Sequence, residues 1–194
     1  MLFIIIGAVF DFFDGMTARL LGVSSPIGKE LDSLADCVTF GFAPSAIIFN
    51  YLCSFHTESP VLPFFAFVMA AFSALRLAKF NLDERQALGF IGLPTPANAL
   101  FWGSLIVGAK DYFEEIPYTP YVLLALVLLS CYLLVSEIPM FALKFKHWGW
   151  KGNEIKYIFV LSCIPLLLLL GVSGFAAIIA WYIILSAVTA KKTN

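Results

Sequence analysis

Long apolar stretches follow one another along almost the whole chain, and this feature constrains the fold more than any other. A helix that crosses the hydrocarbon core of a membrane needs about 20 mostly apolar residues. Seven such stretches, separated by short polar or Gly- and Pro-containing breaks, cover residues 1–21, 28–53, 60–80, 96–109, 120–145, 154–170 and 174–190. The pattern predicts an all-α, polytopic integral membrane bundle of about seven transmembrane helices.

The balance of residue types excludes several other classes of protein. The 194 residues are 61% hydrophobic and 13% charged, with a formal net charge of −1. Soluble domains contain about 25% charged residues, and disordered chains have low hydrophobicity. Nucleic-acid-binding domains need an excess of Lys and Arg, which this chain lacks. We therefore expect membrane lipids among its partners and no nucleic acid.

The positions of the basic residues predict how the chain crosses the membrane. Cytoplasmic loops and helix ends retain Lys and Arg. If the break after the first stretch is cytoplasmic, that side collects eleven of the twelve cations and leaves out Lys110. The eleven are Arg19, Lys29, Arg76, Lys79, Arg85, Lys144, Lys146, Lys151, Lys156, Lys191 and Lys192. We expect a protein of the cytoplasmic membrane of a prokaryote.

The first apolar stretch begins at Met1, with no flanking loop and no basic segment before it. This start fits neither a signal peptide nor an ordinary first membrane helix. We therefore expect that one N-terminal helix is missing from the chain. Its addition would give an even number of spans, with both ends in the cytoplasm.

Four carboxylates interrupt the first two apolar stretches: Asp11, Asp14, Asp32 and Asp36. Each charge at the centre of a membrane helix costs roughly 2.5–3.5 kcal/mol, so such residues indicate function. Spacings of three and four residues place each pair on one helix face, and the short break makes the two helices antiparallel neighbours. The carboxylates therefore converge in the cytoplasmic half of the membrane. Oxygen ligands without His or Cys favour Mg²⁺ or Mn²⁺.

Small residues lie beside these carboxylates, where a ligand would approach. Gly15 follows Asp14, Ala18 lies one turn further on, and Gly28 precedes Asp32 by four residues. Small residues also allow close packing of membrane helices, which is the alternative interpretation. Next to the carboxylates, we favour ligand access.

The combined pattern Asp11-x2-Asp14-Gly15-x2-Ala18-Arg19-x8-Gly28-x3-Asp32-x3-Asp36 resembles the complete signature of the CDP-alcohol phosphatidyltransferases. These are integral membrane enzymes of phospholipid synthesis. The resemblance implies that a phosphatidyl group passes from a CDP-linked lipid to an alcohol with release of CMP, assisted by two Mg²⁺ or Mn²⁺ ions. It also implies a homodimer.

The resemblance assigns a role to each signature residue. Asp11, Asp14 and Asp32 would be metal ligands, while Asp36 would complete the second metal site and act as the catalytic base. The CDP moiety would contact the remaining positions, which are Gly15, Ala18, Arg19 and Gly28. The chemistry is consistent, because paired cations neutralise a pyrophosphate and the Arg fork matches a phosphate.

Residues 73–81, 92–99 and 134–139 are similar to the phosphatidylserine synthase branch of this family. The acceptor would then be L-serine and the donor CDP-diacylglycerol. Arg76, Lys79 and Asn81 are candidates for the side that binds the serine carboxylate. Alternatively, the two cations anchor the helix at lipid headgroups. Glu137 is either a structural hydrogen-bond partner or a ligand for the serine ammonium.

Other functions share some of these features. A related synthase could use glycerol phosphate, inositol phosphate or another alcohol, or an archaeal-type ether lipid as donor. Membrane prenyltransferases also bind a pyrophosphate through aspartates and metals, and ion or proton carriers contain intramembrane carboxylates. Acids clustered toward one membrane face favour the phosphatidyltransferase.

We predict a single transmembrane domain over residues 1–194 with three parts. Residues 1–53 would form the two-helix catalytic segment, 54–146 the acceptor-side helices, and 147–194 a C-terminal helix pair.

Overall fold

The computed structural model describes residues 1–23, 25–55, 59–83, 90–141, 149–150 and 153–193, and these are mainly helical. The α-helices are α1 (Leu2–Leu21), α2 (Pro26–Asp36), α3 (Ala43–Cys53), α4 (Val68–Leu82), α5 (Thr95–Glu114), α6 (Thr119–Val135), α7 (Glu154–Leu170) and α8 (Gly174–Thr193). Two short strands, β1 (Phe90–Ile91) and β2 (Pro139–Met140), form an antiparallel pair. The predicted cytoplasmic cations Arg85, Lys144, Lys146 and Lys151 lie outside the described residues.

Local sequence preferences explain where α1 ends and where α2 begins. Helix α1 ends at Gly22, which adopts a left-handed conformation with φ 62°. Helix α2 begins after Ser25, whose Oγ accepts a hydrogen bond from the Gly28 backbone N–H at 3.0 Å, and Pro26 occupies the first helical position. Both ends follow the usual preferences for helix caps.

A π-helical segment, Cys37–Phe42, joins α2 directly to α3. The three segments form one helical run from Pro26 to Cys53. The π-helical segment starts immediately after Asp36, and such segments occur frequently at functional sites. It packs against α4 and α5, so the position of Asp36 is fixed by the centre of the bundle.

The main core lies among α3, α4, α5 and α6. Its buried residues are Ile48, Tyr51, Leu52, Ala66, Met69, Trp102, Ile106, Leu123, Val127, Cys131 and Leu134. Trp102 is fully buried, and its indole N–H donates to Ser130 Oγ at 3.0 Å. That bond satisfies the polar atom which makes a buried Trp costly.

Three helical runs in the described part of the chain are long and apolar enough to cross a membrane: Pro26–Cys53, Leu62–Leu82 and Glu154–Thr189. The first two correspond to the second and third predicted stretches. Helix α6 is apolar but shorter, while α1 carries Asp11, Asp14 and Arg19. A helical membrane fold is therefore confirmed, and the number of seven spans stays a prediction.

The run Glu154–Thr189 is two helices that fold back on each other. A 3₁₀ turn at Gly171–Ser173 separates α7 from α8. Across the hairpin, Trp181 Nε1 donates to Ser162 Oγ at 3.0 Å, and the rings of Phe159 and Tyr182 lie 5.8 Å apart. Helices α7 and α8, which correspond to the sixth and seventh predicted stretches, are therefore packed against each other.

The predicted extent of the fifth stretch, to residue 145, is wrong. Helix α6 ends at Val135, because Ser136 is extended with ψ 155° and its Oγ donates to Leu133 O at 2.9 Å. Pro139 follows, and the residue before a proline disfavours helix. Strand β2 then pairs with β1, so residues 136–141 leave the helix and form part of a connection.

Candidate active site

One open cavity contains all four aspartates of the first two stretches. Its volume is about 940 Å³. Asp11 and Asp14 line it from α1, and Asp32 and Asp36 line it from α2. The structure thus brings together the four carboxylates that the sequence pattern selected.

The carboxylates pair across the cavity in antiparallel order. Asp11 and Asp36 lie within hydrogen-bonding reach of each other, and Asp14 and Asp32 are close enough for their charges to repel. An early residue of α1 thus faces a late residue of α2, and the reverse. This order of facing residues is the one expected of two antiparallel helices. Asp36 and Asp11 are partly buried, whereas Asp14 and Asp32 are exposed.

Two stripes of residues explain why these side chains share a cavity. On the second helical run, the lining residues follow helical spacing: Ser25, Gly28, Asp32, Asp36 and Thr39. On α1 the corresponding stripe is Gly7, Asp11, Asp14, Gly15 and Ala18. Residues three and four apart lie on one helix face, so each helix presents its whole stripe to the same space.

The sequence reasoning did not select Ser25 and Thr39, although both lie on the stripe of Gly28, Asp32 and Asp36. Extending the three- and four-residue spacing by one step in each direction would have found them. Lys29, a further lining residue, is predicted from the sequence as a cytoplasmic cation near the carboxylates and not as a site residue. The Lys29 Nζ donates to the backbone oxygen of Asn81 at 3.0 Å and so joins α2 to α4.

The small residues predicted to contact CDP leave space in the cavity, because their side chains are short or absent. Gly15, Ala18 and Gly28 all line the cavity. A Cβ at Gly28 would lie 2.8 Å from Ser25 Oγ, so a side chain there would disturb the cap of α2. The guanidinium of Arg19 lies beside Gly15, because a Cβ at Gly15 would be 3.6 Å from Arg19 Nη1. Arg19 is exposed at the end of α1.

The aspartates line one cavity without forming a tight cluster. Within the described ranges, no three His, Cys, Asp or Glu side chains are close enough together to hold a metal ion. The donor set nevertheless fits hard divalent cations, because it consists of four carboxylates whose charges repel one another. A shared cation would relieve that repulsion.

Arg76 is a buried cation of α4 whose charge acts on Asp36. It lies on the inner face of α4, one turn beyond Ser73, and is only 7% exposed. Its charge and that of Asp36 attract each other. Nε and Nη2 of Arg76 are buried with no hydrogen-bond partner among the residues that the structure describes, and its Cζ lies 5.1 Å from the centre of the Phe80 ring.

The other two predicted acceptor residues lie at the same end of α4. Lys79 is exposed, and its Nζ donates to Val135 O at the end of α6 at 3.3 Å. Asn81 is partly buried, and its Nδ2 donates to Ser33 Oγ on α2 at 2.9 Å. Arg76 and Lys79 line a second, smaller cavity, whereas Asn81 contacts the helix that carries the carboxylates.

The sequence of this site matches a known family. Residues 1–143 match the family model described as CDP-alcohol phosphatidyltransferase. The chain belongs to this family. The matched residues include both aspartate helices and the β1–β2 pair, and membership decides against the carrier and prenyltransferase alternatives.

Curated proteins from three domains of life are similar to the chain, and each is named CDP-diacylglycerol–serine O-phosphatidyltransferase. The Bacillus subtilis protein is 39% identical over 157 residues, which cover 79% of this chain and 77% of the relative. The Methanocaldococcus jannaschii protein is 34% identical, with coverage of 89% and 74%. The Saccharomyces cerevisiae protein is 38% identical, with coverage of 71% and 44%.

Family membership and the apolar helices together identify an integral membrane protein. The carboxylate cavity lies within its helical part, between two elements that the family model includes. The alternatives left from the sequence concern the acceptor alcohol and the lipid of the donor.

Proposed function

We propose that this protein transfers the phosphatidyl group of CDP-diacylglycerol to L-serine, forming phosphatidylserine and CMP. The observation that carries the proposal is the convergence of Asp11, Asp14, Asp32 and Asp36 on one open cavity. The names of the bacterial, archaeal and yeast relatives support the donor and the acceptor.

The four carboxylates would hold two divalent cations, Mg²⁺ or Mn²⁺. Asp11, Asp14 and Asp32 would be ligands, and Asp36 would complete the second site. When bound, such a cation pair neutralises a pyrophosphate and stabilises the entering and leaving oxygens. The donor set supports oxygen-preferring metals, since the cavity is lined by carboxylates and by no His or Cys among the described residues.

The CDP part of the donor would lie along the part of the cavity that is lined by small residues. Gly15, Ala18 and Gly28 leave room for it there, and Arg19 beside Gly15 offers a planar fork to a phosphate. The lipid chains would leave through the open side of the cavity toward the membrane. The exposed apolar side chains of α1 and α2, such as Phe10 and Leu31, are compatible with that path.

Asp36 would take the proton of the serine hydroxyl as the hydroxyl oxygen attacks the lipid-side phosphorus. CMP then departs with the electron pair of the broken P–O bond. Asp36 is the most central of the four carboxylates, at the junction with the π-helical segment, and Arg76 acts on it from α4. A base held by the bundle core keeps its place during turnover.

The serine carboxylate would bind at the end of α4. Arg76 carries two buried N–H-bearing nitrogens without described partners, and Lys79 adds a second positive charge. Asn81 would hold this helix end against α2 through its hydrogen bond to Ser33. An Arg fork is suited to a carboxylate, because two parallel hydrogen bonds fix its orientation.

We further propose that the site faces the cytoplasm of a prokaryotic cell, since most cations of the chain lie on that side of the predicted topology. The three predicted parts, 1–53, 54–146 and 147–194, would supply the catalytic helices, the acceptor wall and a supporting pair. Two copies would form a homodimer.

A phosphorylated acceptor is the second candidate. Glycerol phosphate or inositol phosphate carries about two negative charges and needs several cations. The cavity beside Arg76 and Lys79 also contains Asp83 and Glu137, so its described charges balance. A balanced cavity favours serine.

The test uses the purified full chain in detergent with Mg²⁺ or Mn²⁺ and CDP-diacylglycerol. CMP release is measured with serine, glycerol phosphate, inositol phosphate and inositol in parallel, and a CDP-activated ether lipid is compared as donor. Serine-dependent CMP release is expected. Release stimulated by another alcohol and not by serine would contradict the acceptor assignment.

A further inference from the structure

Helix α1 and the π-helical segment approach each other closely at Gly7 and Thr39, and both residues line the carboxylate cavity. A Cβ placed on Gly7 would lie only 2.5 Å from Thr39 Cγ2. Carbon atoms in contact are normally about 3.5–4.0 Å apart, so a side chain at position 7 would displace α1 by about 1 Å or turn Thr39. We call this contact the crossing point.

The crossing point lies one helical turn from a carboxylate on each helix. Gly7 precedes Asp11 by four residues, and Thr39 follows Asp36 by three. Residues three or four apart share a helix face, so the crossing point and both carboxylates face the same space. Asp11 and Asp36 lie within hydrogen-bonding reach of each other. The closest pair of carboxylates in the cavity is therefore adjacent to the crossing point.

The segment that carries Thr39 is packed firmly into the bundle. Its Phe40 is buried and packs with Ile4 of α1. Its Gly41 lies against α4, where a Cβ would be 2.9 Å from Ser73 Cβ. Close-packed interiors have low compressibility and transmit strain. A larger residue on α1 would therefore displace α1 and leave the π-helical segment in place.

The cavity opens from the crossing point toward the end of α1. On α1, Ile4 is buried, Asp11 is partly buried and Asp14 is exposed. On α2 the order is reversed along the chain, since Asp36 is partly buried and Asp32 is exposed. This order is the one expected of two helices that diverge from a shared contact. A displacement of α1 at the crossing point would widen the gap between the carboxylates of the two helices.

We infer that Gly7 and Thr39 are positioning residues, whose contact sets the gap between the carboxylates of α1 and α2 and with it the cations that the site prefers. The inference rests on the proposed function, which assigns divalent cations to these carboxylates. Mg²⁺ demands near-ideal octahedral geometry at about 2.0–2.1 Å, whereas Ca²⁺ accepts irregular geometry at about 2.3–2.6 Å. A wider gap therefore weakens Mg²⁺ binding more than Ca²⁺ binding.

The test measures cation binding itself, in the purified full chain in detergent with CDP-diacylglycerol and no acceptor. Electron paramagnetic resonance measures free Mn²⁺, and Mg²⁺ or Ca²⁺ is added as a competitor. Gly7→Ala should raise the dissociation constant of Mg²⁺ about tenfold, because relief of the overpacking moves α1. The dissociation constant of Ca²⁺ should rise less than about threefold.

A second substitution should rescue the first. Thr39→Ser removes the Cγ2 that a side chain at position 7 would meet, and it keeps the hydroxyl. In the Thr39→Ser background, Gly7→Ala should change the dissociation constant of Mg²⁺ less than about twofold, because the new methyl group occupies the vacated space. The effect of Ala on helix propensity is the same in both backgrounds, so the comparison isolates the contact.

Gly108→Ala is the matched control. Gly108 of α5 is also crowded, since a Cβ there would lie 2.8 Å from Ser173 Cα in the turn between α7 and α8. The residues that line the carboxylate cavity fall between Gly7 and Phe40. Gly108→Ala should therefore lower the unfolding temperature and leave the dissociation constants of both cations unchanged.

Three results would overturn the inference. The first is a dissociation constant of Mg²⁺ in Gly7→Ala within twofold of the parent, and the second is an equal loss of Mg²⁺ and Ca²⁺ binding. The third is a loss as large in the Thr39→Ser background as in the parent. If Gly7→Ala alone does not fold, recovery of folding by Thr39→Ser supports the contact, and no recovery refutes it.

The parent decides the proposed function separately. A parent that binds no Mn²⁺, or that releases no CMP with serine, contradicts the proposed function whatever the variants do. A parent that does both, with variants that bind cations as it does, contradicts only the role of the crossing point.

Discussion

The side-chain amide of Asn81 donates a hydrogen bond to Ser33 Oγ at 2.9 Å and ties the last turn of α4 to α2. Ser33 lies between Asp32 and Asp36, and its hydroxyl in turn donates to Lys29 O at 3.2 Å. Lys29 closes the connection through the Asn81 carbonyl at 3.0 Å. The helix that carries two carboxylates is therefore held against the helix that carries Arg76.

Removing the hydrogen bond between Asn81 and Ser33 should lower activity because α2 and α4 then shift relative to each other. No contact with the acceptor is lost. Asn81→Ala and Ser33→Ala should each reduce kcat/KM about fivefold, which corresponds to a hydrogen bond of about 1 kcal/mol. The double variant should lose no more than either single variant, because both remove the same bond. Serine kinetics on all three variants measure the coupling.

Asn50→Ala, an exposed position on α3, is the control for that cycle. If the losses of Asn81→Ala and Ser33→Ala add, then Asn81 contacts the acceptor directly instead of acting through Ser33.

Replacing the proposed base should stop turnover while the fold persists. Asp36→Asn keeps the size of the side chain and removes its ability to take a proton, so kcat should fall about 10²-fold or more. Asp111→Asn, at an exposed position of α5, should retain normal kcat. Single-turnover CMP release measures both. Normal turnover by Asp36→Asn would refute the assignment of the base.

Removal of divalent cations should abolish activity reversibly. Excess EDTA should eliminate CMP release, and Mg²⁺ or Mn²⁺ should restore it, because the carboxylates alone cannot neutralise a pyrophosphate. Asp11→Ala should raise the cation concentration needed for half-maximal activity, or abolish activity. Titration of each metal against CMP release gives these values, and full activity in EDTA would contradict the metal assignment.

The planar fork of the Arg76 guanidinium should contribute more to serine binding than its positive charge alone. Arg76→Lys keeps the charge but loses the fork, and two buried partners of the acceptor are lost with it. The KM for serine should rise about tenfold, whereas the KM for CDP-diacylglycerol should change less than threefold. Equal effects on both constants would place Arg76 at the donor instead.

The β1–β2 connection should depend on a glycine. Gly92 has φ 74°, and a Cβ there would lie 2.8 Å from Leu134 O and 2.9 Å from Ser136 O. Gly92→Ala should therefore lower the free energy of unfolding by more than about 2 kcal/mol, from strain and collision together. Gly22→Ala is the control, because Gly22 has a similar φ of 62° but open space around it.

Gly22→Ala should cost only about 1 kcal/mol from the left-handed conformation. Thermal unfolding in detergent compares the two variants. Equal losses would show that the carbonyls near Gly92 move aside without cost.

The predicted helix ends agree with the structure where local chemistry decides them. The apolar pattern predicts a sixth stretch over residues 154–170, and α7 covers Glu154–Leu170, because Gly171 closes the helix with φ 54°. The predicted fifth stretch is too long because its true end depends on a contact with a distant part of the chain. Nothing in the apolar pattern distinguishes a helix from the short strand at Pro139–Met140, whose partner lies about 50 residues earlier in the chain.

The carboxylate cavity was predictable from spacing because helical periodicity converts sequence distance into a shared face. Asp11 and Asp14 on one helix, and Asp32 and Asp36 on the next, needed only a short connection to face each other. Ser25 and Thr39 follow the same rule one step further. Metal ligation by these residues stays a prediction, as does the number of seven spans.

A helical membrane protein with a family signature could be predicted from the amino-acid sequence alone, since both features depend on composition and on spacing within a few residues. Helix packing was needed to show that Arg76 is buried where its charge acts on Asp36, and that Glu137 lines a cavity with Arg76. Asp36 and Arg76 are 40 positions apart in the chain, and Arg76 and Glu137 are 61 apart. Packing between distant segments determines these positions, and the periodicity within one segment contains no information about that packing.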